Sequence, residues 1–387
     1  MNDDARREAC IARTPQIASV ITQPFRLRCA PAAARWLQTA ADNNESSPMT
    51  AETKIANLAL QGGGTHGAFT WGVIERLLEE PSFELDGVTA TSAGAMNAVV
   101  LAHGLTVAGR EGAISALAEF WGRVAAVACS SLLRPSWYDL MMHNRQLDHS
   151  PGFLFFEMLS HVFSPYQINP LNYNPLQSLL EQTVDFERLR RDCPVKLFLC
   201  ATNVRTGKVR VFSNEELCVK RVLASACLPN FSQAVEIEGE YFWDGGYMGN
   251  PALFPLIYGC QSPDIIVIHI NPTERQEIPR TAPEILNRIN EISFNSSLFR
   301  EMRAIAFVTK LIDDGQITDG SLKRMLIHAI EADDVMEKLG PMSKLNADWN
   351  FLTHLRDIGR ERADQWLKSN LGMIGIKSTV DIRAKYL

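Results

Sequence analysis

The sequence lacks the signatures of several functional classes. Its eight cysteines, at positions 10, 29, 129, 193, 200, 218, 227 and 260, form no CxxC pair. A disulfide scaffold and a zinc ribbon are therefore not expected. Cys193, Cys200 and Cys227 lie in apolar surroundings and read as small core residues. The eight histidines form no HExxH and no two-histidine turn, so the sequence offers no metal site. Basic charge is not in excess: 38 Lys and Arg stand against 44 Asp and Glu, a net charge of −6. A dominant nucleic-acid surface needs the opposite balance. A signal peptide is not expected either. Asp3, Asp4 and Glu8 occupy the place of a basic n-region, and no apolar h-region follows.

What is present is enough apolar residue to build a core. Apolar residues are 46% and charged residues 21%, which excludes wholesale disorder. A length of 387 residues allows two or three domains, or one large α/β domain with loose ends. One uncharged run, 87–109, is long enough to raise a membrane span. Thr89, Thr91, Ser92, Asn97 and His103 interrupt it, so a buried strand followed by a buried helix fits better.

The chain divides unevenly. Residues 1–50 end in the polar run Asp42-Asn43-Asn44-Glu45-Ser46-Ser47-Pro48 and read as a loose N-terminal extension and linker. Residues 51–387 read as one catalytic domain with a helical C-terminal part from about 280. Short apolar runs at 55–60, 88–91, 195–201, 209–212, 234–237, 264–270 and 325–330 predict strands. Four-residue steps such as Phe69, Val73 and Leu77 predict a helix over 66–80. Further helices are expected at 93–103, 175–182, 217–226, 283–312 and 349–369. Run-like strands alternating with helices argue an α/β fold with a parallel or mixed sheet covered on both faces. The stretch 131–166 is rich in Leu, Met and Phe. It reads either as a packing insertion or as a lid that offers apolar surface to a lipid.

Three short motifs carry the chemistry. Gly62-Gly63-Gly64-Thr65-His66-Gly67 follows a strand and opens a helix, the setting of an anion-binding loop. A dinucleotide reading would need an acid at the end of the second strand, and Asp86 precedes that strand instead. A P-loop reading fails because no GK[ST] follows. Ala90-Thr91-Ser92-Ala93-Gly94 lies between a strand and a small-residue helix, the context of a nucleophile elbow. Trp243-Asp244-Gly245-Gly246 holds a carboxylate at a tight turn after an expected hairpin. Taken singly, each is also compatible with an ordinary turn or loop.

In this order the three motifs resemble the patatin-like phospholipases. Ala201-Thr202-Asn203 through Gly207-Lys208, Ala224-Ser225-Ala226-Cys227-Leu228-Pro229 and Asn250-Pro251 are similar to that family's flanking segments. The resemblance implies a three-layer α/β/α fold with a mostly parallel central sheet. It implies Ser92 as nucleophile, Asp244 as base, and an oxyanion hole from Gly62, Gly63 and Gly64 with the Ala93 amide. Supporting positions are His66, Gly67, Gly94, Gly245 and Gly246. It further implies a lipid or ester substrate, a phospholipase A or general lipid acyl hydrolase activity, and no metal or cofactor. The chain departs from the pattern twice. His66 stands where the family usually has Arg or Lys, and Ala90 replaces the first glycine of the elbow.

A Ser–Asp dyad acts without histidine. Since a carboxylate is ordinarily a weak base near neutral pH, the oxyanion hole should carry a large share of the rate. A Ser–Asp–His triad is the rival, with His269, His328 and His354 as candidates. The first two lie in strand-like runs and the third on an expected helix, so a structural role is expected for each. Two other classes stay open: a catalytically silent lipid-binding or scaffold module of the same fold, and, more remotely, a nucleotide-binding oxidoreductase. The expected setting is cytoplasmic, with peripheral contact at membranes left open and no nucleic-acid partner. Oligomeric state, head group and acyl-chain preference are not encoded legibly.

Overall fold

The computed structural model describes residues 52–129 and 162–387. The expectations for residues 1–50, and for the 131–161 portion of the apolar stretch, lie outside the described residues.

The apolar runs form one sheet. Its strands are β1 (Lys54–Leu60), β2 (Phe83–Ala90), β3 (Lys196–Asn203), β4 (Val209–Ser213), β5 (Val235–Ile237), β6 (Glu240–Asp244), β7 (Asp264–Ile268) and β8 (Leu326–Ile330). Their order is β5-β6-β3-β2-β1-β7-β8, with β4 also paired to β3. Neighbours from β3 to β8 run parallel, whereas β4, β5 and β6 join antiparallel at one side. The sheet is thus mixed and mostly parallel, as expected.

Alternation along the central strands feeds two cores. Leu58, Leu60, Ile266 and Ile268 pack into the larger one. Ala59, Ile265, Val267 and Ile327 face the other way, against Leu253, Leu298 and Met302. Successive side chains of a strand point to opposite faces, so both faces of the sheet are covered. The principal helices are α1 (Gly67–Leu78), α2 (Ala93–Cys129), α3 (Val219–Ser225), α4 (Ala282–Asp313) and α5 (Trp349–Asn370). Helices on both sides of a mainly parallel sheet make the three-layer α/β/α arrangement.

Two boundaries differ from expectation for identifiable reasons. β2 starts at Phe83, although Glu84 and Asp86 had marked that segment as polar. Asp86 is satisfied within the sheet: its Oδ2 accepts from Gln261 N at 2.5 Å and Ser262 N at 2.8 Å. α2 continues well beyond residue 103, with a break at Ala108 and Gly109, whose backbone is non-helical. The uncharged run 87–109 is divided between the end of β2 and the first part of α2. No helix among the described residues is long and apolar enough to cross a membrane.

The C-terminal part is more than helical, because it also supplies β8 at the sheet edge. Its helix α5 docks on α1 with the two backbones in contact. A Cβ on Gly72 would lie 1.9 Å from Arg356 O, and one on Gly359 would lie 2.1 Å from Phe69 O. Beside this crossing, the buried Glu75 accepts from Trp71 Nε1 at 2.8 Å, Arg356 Nε at 2.8 Å and Arg360 Nη1 at 3.1 Å. A buried carboxylate is tolerated only with such a set of donors. The C-terminal helix therefore completes the cover over the first βα unit, the unit that carries the glycine loop.

Candidate active site

Strand register alone brings the three motifs to one end of the sheet. Leu60, the last residue of β1, pairs with Ala90, the last of β2. The glycine loop and the Ser92 turn consequently leave the sheet side by side. Ala90 in turn pairs with Leu199 of β3. Two residues further along β3, Ala201 pairs with Asp244 at the end of β6. Ser92 lies two residues past Ala90, so the serine and the aspartate stand at one level at the carboxyl end of β2. Ligands of open α/β sheets bind at this end of the strands.

Ser92 sits at a strained elbow. Its φ is 56°, in the left-handed region that non-glycine residues rarely adopt. The turn is held by backbone and side-chain bonds: Thr91 N donates to Leu60 O at 3.3 Å, and Gly94 N donates to Thr91 O at 2.9 Å. Ser92 N donates to both Ser225 O and Ser225 Oγ at 3.1 Å. Thr91 Oγ1 donates to Gly249 O at 2.6 Å. Ala90, which replaces the first elbow glycine, is fully buried in the larger core. Gly94 meets the elbow expectation, because a Cβ there would lie 2.5 Å from Leu60 O.

Asp244 is wholly buried. Its Oδ1 accepts from Gly246 N at 2.7 Å, which fixes the Asp-Gly-Gly turn. Its backbone is pinned by Cys227 O and by Thr202 Oγ1, at 2.7 and 2.8 Å. Burial pushes the carboxyl pKa up to about 7, and the Gly246 amide and Ser92 hydroxyl only partly oppose this. Oδ2 has no hydrogen-bond partner among the described residues. A carboxyl with a pKa of about 7 exchanges its proton near neutral pH.

The glycine loop is fastened from three directions. Gly62 N donates to Asn250 Oδ1 at 2.7 Å, and Asn271 Nδ2 donates to Gly62 O at 2.6 Å. Gln61 Oε1 accepts from Ile270 N at 3.0 Å and Asn271 N at 3.1 Å. Gly62 is packed on the nucleophile itself, since a Cβ there would lie 2.5 Å from Ser92 Cβ. Its amide is already engaged, which corrects the expectation that Gly62 donates to an oxyanion. The amides of Gly63, Gly64 and Ala93 have no acceptor among the described residues. Gly63 and Gly64 line the cavity above Ser92, whereas Ala93 does not.

Gly67 and Gly245 are explained by close packing. A Cβ on Gly67 would lie 2.8 Å from Ala93 Cβ, and one on Gly245 would lie 2.2 Å from Cys200 O. Gly246 approaches the Phe294 ring similarly, at 2.9 Å. His66 is buried, with Nε2 2.8 Å from Ser343 Oγ, and lies outside the cavity lining.

The cavity has a volume of about 270 Å³ and Ser92 at its base. Its walls come from Leu228 and Tyr247 near the aspartate turn, from Pro283, Leu286, Ile289 and Phe294 of α4, and from Lys344 and Leu345. Among the described residues, no histidine lines it. His269 is buried with Nε2 2.7 Å from Tyr386 Oη, and burial lowers its pKa to about 3. His328 is buried between Asp264 Oδ1 at 2.9 Å and Thr379 Oγ1 at 3.0 Å. Sequence reasoning missed Asn250, Asn271 and Lys344 as parts of this site. Asn250 had appeared only in a flanking segment, and the other two carry no local signal.

Comparison with known proteins follows this geometry. The chain is similar over 81% of its length to VipD from Legionella pneumophila, at 16% identity and a TM-score of 0.40, covering 67% of that chain. It is similar over 83% of its length to a chain of the heterodimeric ExoU–SpcU complex from the type III secretion system of Pseudomonas aeruginosa. That match has 13% identity and a TM-score of 0.33, and spans about half, 53%, of the other chain. No curated protein matches. The model of the patatin-like phospholipases matches residues 58–257, more than half of the chain and the segment holding the glycine loop, the Ser92 elbow and Asp244. The chain belongs to the patatin-like phospholipase family.

Proposed function

We propose that the protein is a serine lipid acyl hydrolase of phospholipase A or esterase type, working through a Ser92–Asp244 dyad. The observation that carries this reading is the strained serine facing a buried carboxyl whose pKa is raised to about 7, with no histidine among the described residues that line the cavity. The Ser92 hydroxyl attacks the ester carbonyl while Asp244 takes its proton. The amides of Gly63 and Gly64, which line the cavity, face the developing oxyanion. Each such donor is worth about 10²–10³ in rate. Asp244 returns the proton to the leaving alcohol, and an acyl group remains on Ser92. Water then attacks the acyl-enzyme, with Asp244 accepting its proton and passing it to Ser92 Oγ as that oxygen leaves, so the free acid departs and the hydroxyl is restored.

The apolar α4 wall suits an acyl chain. Ile285, Leu286, Ile289 and Ile292 on the same helix are also solvent-exposed, which supports peripheral contact with a lipid interface. The test is fluorophosphonate labelling, together with hydrolysis of phospholipids, glycerides and p-nitrophenyl esters. Labelling and turnover in the wild type, both lost in Ser92→Ala, are expected. A folded wild type that binds lipid vesicles but neither labels nor turns over is instead a silent lipid-binding module.

A further inference from the structure

The glycine loop carries no cation of its own. Ser343 Oγ gives its proton to Gly340 O at 2.6 Å, so it accepts from His66 Nε2. His66 is therefore the neutral Nε2–H tautomer, and burial holds its pKa near 3. It holds the loop against the 341–345 segment and offers nothing to the cavity.

A cation reaches the loop from that same segment. Lys344 lines the cavity with Ser92, Gly63 and Gly64. Its backbone touches the loop: a Cβ on Gly64, whose φ is +62°, would lie 2.2 Å from Lys344 O. The side chain keeps 22% of its exposure. Its ammonium is positioned by two neutral acceptors, Asn271 Oδ1 at 3.3 Å and Asn287 Oδ1 at 3.2 Å. Among the described residues, the one carboxylate within 4 Å is Glu291, at 3.9 Å. Glu291 is already bound by Arg275 through two bonds of 2.8 and 2.6 Å, and Arg288 approaches it at 3.3 Å. One buried carboxylate thus lies within 4 Å of three cations, with Glu337 and Glu284 acting on Arg275 from further off, and Lys344 is the most distant of the three at 3.9 Å. Burial lowers the pKa of Lys344, the direction expected for a desolvated ammonium that lacks full compensation.

We infer that Lys344 is the anion-recognition residue of this cavity and pairs with the phosphodiester of a substrate lipid while its acyl ester lies at Ser92. The catalytic half of this statement rests on the acyl-hydrolase reading, whereas the anion contact does not. Two measurements test it. The first compares kcat/KM for a diacyl phosphoglyceride and for the diacylglycerol of the same chains, in identical mixed micelles. Lys344→Met is expected to lower the ratio at least tenfold, chiefly through KM of the phosphoglyceride, and Lys344→Arg to restore much of it. An unchanged ratio, or an equal fall on both lipids, overturns the assignment.

The second measurement needs neither turnover nor a folded Lys344 variant. Acetylation of Lys344 is followed by mass spectrometry in the Ser92→Ala protein. A short-chain phosphoglyceride is expected to slow it at least fivefold relative to the matching diacylglycerol. Equal protection by both lipids, or protection by inorganic phosphate alone, overturns the assignment to a lipid phosphodiester. Protection without any ester hydrolysis by the wild type would leave the anion site standing and remove the hydrolase reading.

Discussion

Residues 58–257 and residues 258–387 build the same cavity by different means. The first segment supplies Ser92, Asp244 and the glycine loop, the proposed nucleophile, base and oxyanion site. Its constraints are set by backbone: Ser92 at a φ of 56°, Gly62 against Ser92 Cβ, and Asp244 fixed by the Gly246 amide. The second supplies α4 and the 341–345 segment, and its contribution is side-chain volume and charge. Reacting atoms tolerate displacements of well under an ångström, whereas a lipid-facing wall tolerates exchange of one apolar side chain for another. Changes in the first segment should therefore abolish chemistry, and changes in the second should redistribute affinity.

The largest effect is expected at Asp244, the proposed base. Asp244→Asn keeps the size of the side chain and removes the proton acceptor, so ester hydrolysis should fall at least ~10³-fold. His269→Gln, outside the cavity and next to Tyr386, should retain most of its turnover per folded molecule. The opposite pattern in a matched kinetic assay would replace the dyad with a triad. Next comes Gly62→Ala. Its methyl would lie 2.5 Å from Ser92 Cβ and 2.9 Å from Thr91 O, so the elbow must shift. A fall of about 10²–10³ in kcat is expected, comparable to losing an oxyanion donor. A Gly62→Ala protein with wild-type kcat would show that the loop does not set the nucleophile.

A smaller and graded effect comes from pH. With Asp244 raised to about 7, kcat/KM should climb about tenfold per pH unit below 7 and level off above it. A plateau already reached at pH 5 would remove Asp244 as the base. The same shift has a stability consequence of defined sign. The folded pKa lies above the ordinary aspartate value of 3.8, so the native state holds this proton more tightly. The stabilisation is fully present below about 4 and is lost as pH rises through about 7. Asp244→Asn removes that dependence. Its melting temperature relative to wild type should be higher at pH 8 than at pH 4, by several degrees on the order expected for one buried carboxylate. A stability difference that is flat across that range would mean the carboxylate is solvated in the folded state.

The two segments also differ in how much of them the sequence reveals. Ser92 and Asp244 were legible because each sits in a short motif whose small residues impose one backbone shape. The strands of the sheet were legible as short apolar runs, since a strand covered on both faces has no polar side. β2 was read too short because Glu84 and Asp86 look like loop residues, and the Asp86 partners Gln261 and Ser262 lie far along the chain. The same distance hides Asn250 and Asn271. Single amides that fasten a loop from 188 and 209 residues away leave no local pattern. Lys344 was invisible for a stronger reason. The motif directs attention to position 66 for a cation, and the fold delivers one from a segment with no motif.

The smallest expected effect lies in the α4 wall and sharpens the comparison. Leu286 and Ile289 line the cavity and are partly exposed, so their replacement leaves no large void in the core. Leu286→Ser and Ile289→Ser each remove apolar surface that an acyl chain would cover, at roughly 25 cal/mol per Å². For partial contact with one methylene or two, about 1 kcal/mol is at stake, or about fivefold in affinity. KM for a long-chain ester should rise by that factor, and the preference for long over short chains should fall with it. A p-nitrophenyl acetate substrate, too short to reach the wall, should report much less change. If the short ester suffers as much as the long one, the wall is tied to the chemistry, and the division of labour between the two segments fails.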